Sequence, residues 1–106
     1  MATFQQITLE EAKTLLQEDG TQVVDIRDAT SYEAGRITGA ERIDNQNLPA
    51  FMAKADKSKP LIVCCYHGNS SQGAAQFFAS QGFENACSLK GGYEMWKLGC
   101  PDLCER

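Results

Sequence analysis

Leu61 to Cys64 is an unbroken apolar run that follows Pro60 and stops at a polar loop, beyond which residues 70–81 are rich in Ala and Phe. A short apolar run bounded by turn signals reads as a strand buried on both faces. The segment behind it reads as a helix that the Asn69 and Ser70 side chains could cap. A strand that must be covered on both sides, and that runs almost directly into a helix, leaves few folds open. The one it favours is layered, with helices on either face of a mainly parallel sheet.

The rest of the chain repeats that alternation. Residues 4–7 read as a first strand. Thr8 and Glu11 have the spacing of a capping box, the helical stripe Ala12, Leu15 and Leu16 follows, and Gly20 is expected to end that helix. Residues 21–26 form the next strand, with charges at its end in Asp25, Arg27 and Asp28. Thr30 and Glu33 repeat the capping-box spacing before a short helix stopped by Gly35. A strand is expected at 41–43 and a helix at 47–55, with Pro49 in its first turn. After the central strand and its helix, residues 85–89 read as the last strand. Gly91 and Gly92 then form a turn, residues 93–98 a short helix, and residues 99–106 a tail outside the core. The expected class is α/β, a mainly parallel central sheet with helices on both faces. Such sheets bind ligands beyond the carboxyl ends of their strands, and Cys65 lies at one of those ends.

At 106 residues the chain has room for one core, so residues 1–106 are expected to form a single domain. A chain of this length buries roughly two-thirds of its unfolded surface and needs no disulfide or metal to fold. The net charge of -4 argues against nucleic acid or an anionic membrane as the main partner. No apolar run approaches a membrane span, and Met1-Ala2-Thr3-Phe4-Gln5-Gln6 lacks the basic start of a secretory leader. A cytoplasmic location is expected. Five cysteines cannot all pair within the chain, and in a reducing compartment they remain free thiols.

Cys65 is the candidate nucleophile. Neighbouring side chains of a strand face opposite ways, so Cys64 and Cys65 cannot share one environment. Core packing suits Cys64. Cys65 opens onto Tyr66, His67, Gly68, Asn69, Ser70 and Ser71, where Gly68 permits an unusual turn and no proline removes a donor. The amides of positions 66–71 can then be aimed at one centre, with the positive end of a helix behind them, and both favour thiolate over thiol. His67 is the single histidine, two residues from Cys65 in the same tight loop, which makes it a rim residue rather than a general base.

Other chemistries fit less well. Adjacent Cys64 and Cys65 with one histidine lack the ligand spacing of a zinc site. Cys100 and Cys104 lack the spacing of a redox CxxC pair and read as incidental tail thiols. A cysteine-dependent phosphatase also places a thiolate at the mouth of such a loop, but it closes the loop with a bidentate arginine. The closing position here is Ser71, which suits a monoanion on sulfur better than a phosphoryl dianion.

Three segments around that loop resemble the rhodaneses. Val23-Val24-Asp25-Ile26-Arg27-Asp28 resembles the family's first signature, a strand ending in Asp-x-Arg. Gly35-Arg36-Ile37-Thr38-Gly39-Ala40 resembles its Gly-His-Ile-x-Gly-Ala segment, and Leu89-Lys90-Gly91-Gly92-Tyr93-Glu94-Met95-Trp96 its C-terminal signature. The loop from Cys65 to Ser71 is similar to that of the short bacterial single-domain thiosulfate sulfurtransferases. The resemblance covers nearly the whole chain. Two departures stand out: Arg36 replaces a histidine at a structural position, and the loop lacks the arginine or lysine with which many rhodaneses hold thiosulfate.

The resemblance implies a single rhodanese-like domain with Cys65 as catalytic cysteine and Tyr66, His67, Gly68, Asn69, Ser70 and Ser71 as the loop that binds substrate and persulfide. Asp25 and Arg27 become supporting residues that orient the loops beside the site, and Trp96 packs on the Gly91-Gly92 turn. The implied reaction moves the outer sulfur of thiosulfate to Cys65, releases sulfite, and passes the sulfur to cyanide, a thiol or a thioredoxin-like protein. It requires no cofactor and no metal. A persulfide carrier serving a protein partner, a slow phosphatase and an inactive binding module stay open as alternatives, the last opposed by the presence of Cys65.

Overall fold

The computed structural model describes residues 3–106; Met1 and Ala2, which begin the stretch read for a leader, lie outside them. In chain order the elements are β1 (Gln5–Ile7), α1 (Leu9–Leu16), β2 (Gln22–Asp25), α2 (Ala29–Ala34), β3 (Arg36–Ile37) and β4 (Glu41–Arg42). There follow α3 (Leu48–Lys54), β5 (Leu61–Cys64), α4 (Ser70–Ser80), β6 (Ala86–Leu89), α5 (Gly92–Gly99), a 3-10 turn (Pro101–Leu103) and β7 (Cys104–Glu105). Five strands make one sheet in the order β1-β6-β5-β2-β4, parallel throughout. β3 and β7 form a separate antiparallel pair.

β5 occupies the middle because every one of its residues is apolar and each face is covered. Strand parity sends Leu61 and Val63 to one core, with Val24, Phe51, Phe78 and Ala86, and Ile62 and Cys64 to the other, with Val23, Leu89 and Trp96. α3 and α4 close the first side, α1 and α5 the second. Full burial of each large aliphatic or aromatic side chain contributes about 1.5–3 kcal/mol. Phe78 holds α4 to the sheet by edge-to-face contacts with Phe51 and Phe83, at 5.9 and 5.4 Å between ring centroids.

The first capping box forms as expected: Glu11 N donates to Thr8 Oγ1 at 3.2 Å, and Thr8 N to Glu11 Oε1 at 2.8 Å. The second does not. Asp28 caps α2, its carboxylate accepting from Ser31 N at 3.1 Å, and Thr30 lies within the helix. An extended Asp just ahead of the helix supplies a charged acceptor and leaves Thr30 no role there. Gly20 does not end α1 either, because the Thr21 hydroxyl donates to Leu15 O at 2.6 Å and the helix closes at Leu16.

The chain end also differs from expectation. Cys100 is buried in the α1–α5 core, Trp96 Nε1 donates to Leu103 O at 3.1 Å, and β7 pairs Cys104 and Glu105 with Ile37 and Arg36. β6 is therefore not the last strand. Two-residue β3 stands apart from the main sheet, and its backbone groups need a partner that only the returning chain provides.

Candidate active site

The carboxyl ends of β2, β5 and β6 lie side by side, with Asp25 beside Cys64 and Val63 beside Ser88. The chain leaving β5 crosses this edge and turns into α4, and Cys65 sits in the crossing, buried at 2% exposure. Its Sγ is 3.1 Å from Gly68 N, 3.3 Å from Ser71 N and 3.2 Å from Ser71 Oγ. Ser71 Oγ in turn lies 2.7 Å from Ser88 Oγ.

Two helices depend on this loop for their first turns. Ser71 is the second residue of α4, where the N–H normally bonds a capping side chain. Asn69 occupies the cap position but makes no such bond, contrary to expectation, and the sulfur of Cys65 takes its place. The loop carbonyls point the other way: Tyr93 N donates to Cys65 O at 2.8 Å and Glu94 N to Tyr66 O at 3.1 Å. They satisfy the first turn of α5, whose cap Gly91 has no side chain to offer. With its carbonyls drawn toward α5, the loop presents amides to the sulfur.

Close backbone approach makes this possible. Gly92 has φ +59, and a Cβ there would lie 2.5 Å from Cys65 O and from Tyr66 O. Gly68 has φ +90, and a Cβ there would lie 2.8 Å from Gly91 N. Any side chain at either position separates the loop from α5.

The cup is smaller than expected. Of the amides from 66 to 71, those of Gly68 and Ser71 are within hydrogen-bond distance of Sγ, and that of His67 adds to the anion's stabilisation. Tyr66, Asn69 and Ser70 bring no such bond from their amides. Burial opposes ionisation of Cys65, yet the Ser71 hydroxyl and the amides of Ser71, Gly68 and His67 outweigh it and hold the thiol below its ordinary pKa. Cys64, one residue away, shows the opposite balance. It is fully buried in the other core, and burial, aided by the Asp25 carboxylate, pushes its pKa far up.

The remaining loop side chains form a rim. Tyr66 is exposed, and its hydroxyl hydrogen-bonds the carboxylate of Asp28. His67 is also exposed, its ring 6.5 Å from that of Tyr66. Asn69 and Ser70 face solvent, and the Gly68 carbonyl accepts from Gln72 Nε2 at 3.0 Å.

Asp25 and Arg27 form a buried pair beneath the rim. Arg27 Nη2 and Nε reach the Asp25 carboxylate at 2.7 and 2.9 Å, and Nη2 also reaches Gly35 O at 2.7 Å. The guanidinium carbon stands 4.3 Å over the Tyr93 ring. The pair thus ties the end of β2 to the α2–β3 turn and to α5, while the hydrogen bonds on the Cys65 sulfur come from Gly68 and Ser71. A cavity of about 660 Å³ opens between Arg27, Gly35, Tyr93 and Cys104 rather than over Cys65.

Three contributions are absent from the sequence reading. Ser88 was legible only as a lone polar residue in the apolar run Ala86–Leu89, and the capping amides of Tyr93 and Glu94 follow a turn read merely as a turn. Among the described residues no group of three or more His, Cys, Asp or Glu side chains is placed to hold a metal ion. No helix there is long and apolar enough to cross a membrane.

Residues 8–98 match the family model of the rhodanese-like domain. The chain belongs to the rhodanese family. Relatives of this rhodanese include the thiosulfate sulfurtransferase GlpE of Pseudomonas paraeruginosa, 54% identical over 99 residues that cover 93% of this chain and 89% of that protein. GlpE of Pseudomonas fluorescens is 50% identical over 101 residues, covering 95% and 92%. Among solved structures, the rhodanese-like domain of an Anabaena protein superposes with a TM-score of 0.79 at 29% identity, over 94% of this chain and 77% of that one. A rhodanese-like domain protein from Staphylococcus aureus gives 0.74 at 26% identity, over 88% and 91%.

Proposed function

We propose that this rhodanese is a thiosulfate sulfurtransferase working by double displacement on Cys65. The thiolate attacks the outer sulfur of thiosulfate; the sulfur–sulfur bond breaks, sulfite leaves with its electron pair, and Cys65 carries a persulfide. Cyanide or a thiolate then attacks the outer sulfur of that persulfide, giving thiocyanate or an acceptor persulfide and restoring the Cys65 thiolate. The charge stays on sulfur throughout, within reach of the Gly68 and Ser71 amides and the Ser71 hydroxyl, which act as an oxyanion hole does.

The observation that carries the reading is the donor set around Sγ, made of two amides and a hydroxyl with no guanidinium, in a chain half identical to proteins named thiosulfate sulfurtransferase. Tyr66, His67, Asn69 and Ser70 shape the entrance, and Asp25 and Arg27 support it from below. Residues 1–106 act as one domain, without cofactor or metal. The acceptor in the cell is a small thiol or a thioredoxin-like protein, and the location is cytoplasmic.

The test is intact mass after mixing with thiosulfate. The expected increment is one sulfur atom, removed by cyanide and absent in Cys65→Ser. An increment that survives in Cys65→Ser places the chemistry on another cysteine. Loading by a protein persulfide but not by thiosulfate identifies a carrier instead.

A further inference from the structure

The hydrogen bonds at Cys65 run one residue deeper than the nucleophile and its loop. Ser88 sits on β6 at 1% exposure, and its Oγ, 2.7 Å from Ser71 Oγ, has no other partner among the described residues. Ser71 Oγ stands 3.2 Å from Cys65 Sγ. Sulfur and two hydroxyl oxygens therefore form a buried chain of three atoms and two contacts. Packing alone does not call for a hydroxyl at position 88. Ala86 lies on the same face of β6 and is buried without one.

Counting hydrogens separates the two states of the sulfur. With Cys65 as a thiol, the three groups carry three hydrogens for two contacts, and one buried donor has no acceptor within the chain. An unsatisfied buried donor costs about 1–3 kcal/mol. With Cys65 as a thiolate, its proton gone to solvent, two hydrogens fill two contacts in a single direction. Ser88 donates to Ser71, and Ser71 donates to the sulfur. Turned the other way, Ser71 would donate to Ser88, leaving the sulfur without its hydroxyl donor and the Ser88 hydrogen without an acceptor. A persulfide anion, which also only accepts, fits the same direction.

We infer that Ser88 is a positioning residue, whose hydroxyl orients that of Ser71 toward Cys65 and so keeps the sulfur anionic. The inference rests on Cys65 as the nucleophile but not on thiosulfate as the donor.

The experiment is the pH dependence of Cys65 alkylation by iodoacetamide, resolved to that residue by tandem mass spectrometry, with no sulfur donor present. In Ser88→Ala the midpoint is expected to rise by about half a pH unit to one unit. In a Ser71→Ala background, adding Ser88→Ala is expected to move it no further. An unchanged midpoint in a Ser88→Ala protein with native circular dichroism overturns the inference, as does an equal shift in the Ser71→Ala background. If Ser88→Ala does not fold, the natural protein supplies the test. The Cβ resonances of Ser71 and Ser88 are expected to titrate together with Cys65, and a Ser88 signal indifferent to that titration overturns it. Failure of thiosulfate loading, with these alkylation results intact, counts against the proposed donor alone.

Discussion

The carbonyl oxygen of Cys65 accepts a hydrogen bond from the amide of Tyr93 at 2.8 Å, which joins the loop after β5 to the first turn of α5. That bond decides which side of the loop faces the sulfur. A peptide unit whose carbonyl is held by α5 turns its neighbours' amides toward α4, where Sγ lies. The C-terminal signature around Gly91 and Gly92 therefore shapes the loop through its backbone amides.

Gly92→Ala tests this connection. The backbone at φ +59 costs a non-glycine residue about 1–2 kcal/mol by itself. The new Cβ would also stand 2.5 Å from Cys65 O, so the loop must move. The expected result is a lower melting temperature and at least a tenfold loss in persulfide loading at temperatures where the variant is still folded. Loading at the natural rate in a folded variant contradicts the role given to this contact.

Ser71→Ala removes the hydroxyl donor to the sulfur and leaves the amide in place. A hydrogen bond to a charged group contributes about 1.5–3 kcal/mol, which corresponds to a rise of roughly one to two units in the Cys65 pKa. Rates of thiosulfate loading measured against pH should show the thiolate limb displaced upward, with the plateau approached at alkaline pH.

Breaking the Asp25–Arg27 pair should affect folding more than chemistry. Removing one partner leaves a buried charge uncompensated, a loss of about 3–5 kcal/mol. Asp25→Ala is expected to unfold at markedly lower urea while still taking up sulfur in the cold. Arg27→Lys should fare little better, since one ammonium cannot hold both the carboxylate and the Gly35 carbonyl in the present geometry.

Cys65 and Cys87 pull stability in opposite directions with pH. The folded pKa of Cys65 lies below that of an unfolded thiol, about 8.5. Its contribution is present above the unfolded value and lost as pH falls through the folded one. Burial, with the charge of Glu11 adding, pushes Cys87 up to about 11. Its contribution is complete below about 8.5 and lost as pH rises toward that folded value. Urea midpoints measured across the alkaline range should fall, and they should fall less steeply in Cys87→Ala.

His67→Ala should leave the chemistry almost intact. The ring is exposed on the rim, and Cys65 is already held toward thiolate by the groups beneath it. Turnover within a few-fold of the natural protein, with an unchanged pH profile, is the expected outcome. A loss of two orders of magnitude would make His67 a participant.

The local pattern was sufficient for most of the elements and for the place of Cys65 at the end of the central strand. An all-apolar Leu61–Cys64 has one stable place, the middle of a covered sheet, and strand parity then separates Cys64 from Cys65. The Thr8–Glu11 capping box, the helix at Leu48–Lys54 with Pro49 in its first turn and the stop at Gly35 also follow from short-range chemistry. Local chemistry misplaced the cap of α2 and the end of α1, where Asp28 and Thr21 supplied better partners than the spacing suggested.

What surrounds the sulfur was decided elsewhere. Ser88 lies 17 positions beyond Ser71, out of reach of any local pattern, and it meets Ser71 because β5 and β6 pair with Val63 beside Ser88.

 The pairing of β2 with β5 carries Asp25 next to Cys64, and the turn before α5 brings the Tyr93 amide under the Cys65 carbonyl. These are contacts between segments distant along the chain, set by sheet register and by which buried backbone groups still lacked partners. The chain end shows the same cause: it reads as a tail until β3, left outside the sheet, requires a partner strand. The sequence by itself determined that Cys65 would stand at the mouth of a strand–loop–helix. Only the tertiary structure decided that Ser71, Ser88 and α5 would make it an acceptor of hydrogen bonds, because a sulfur's charge state depends on every donor brought within reach.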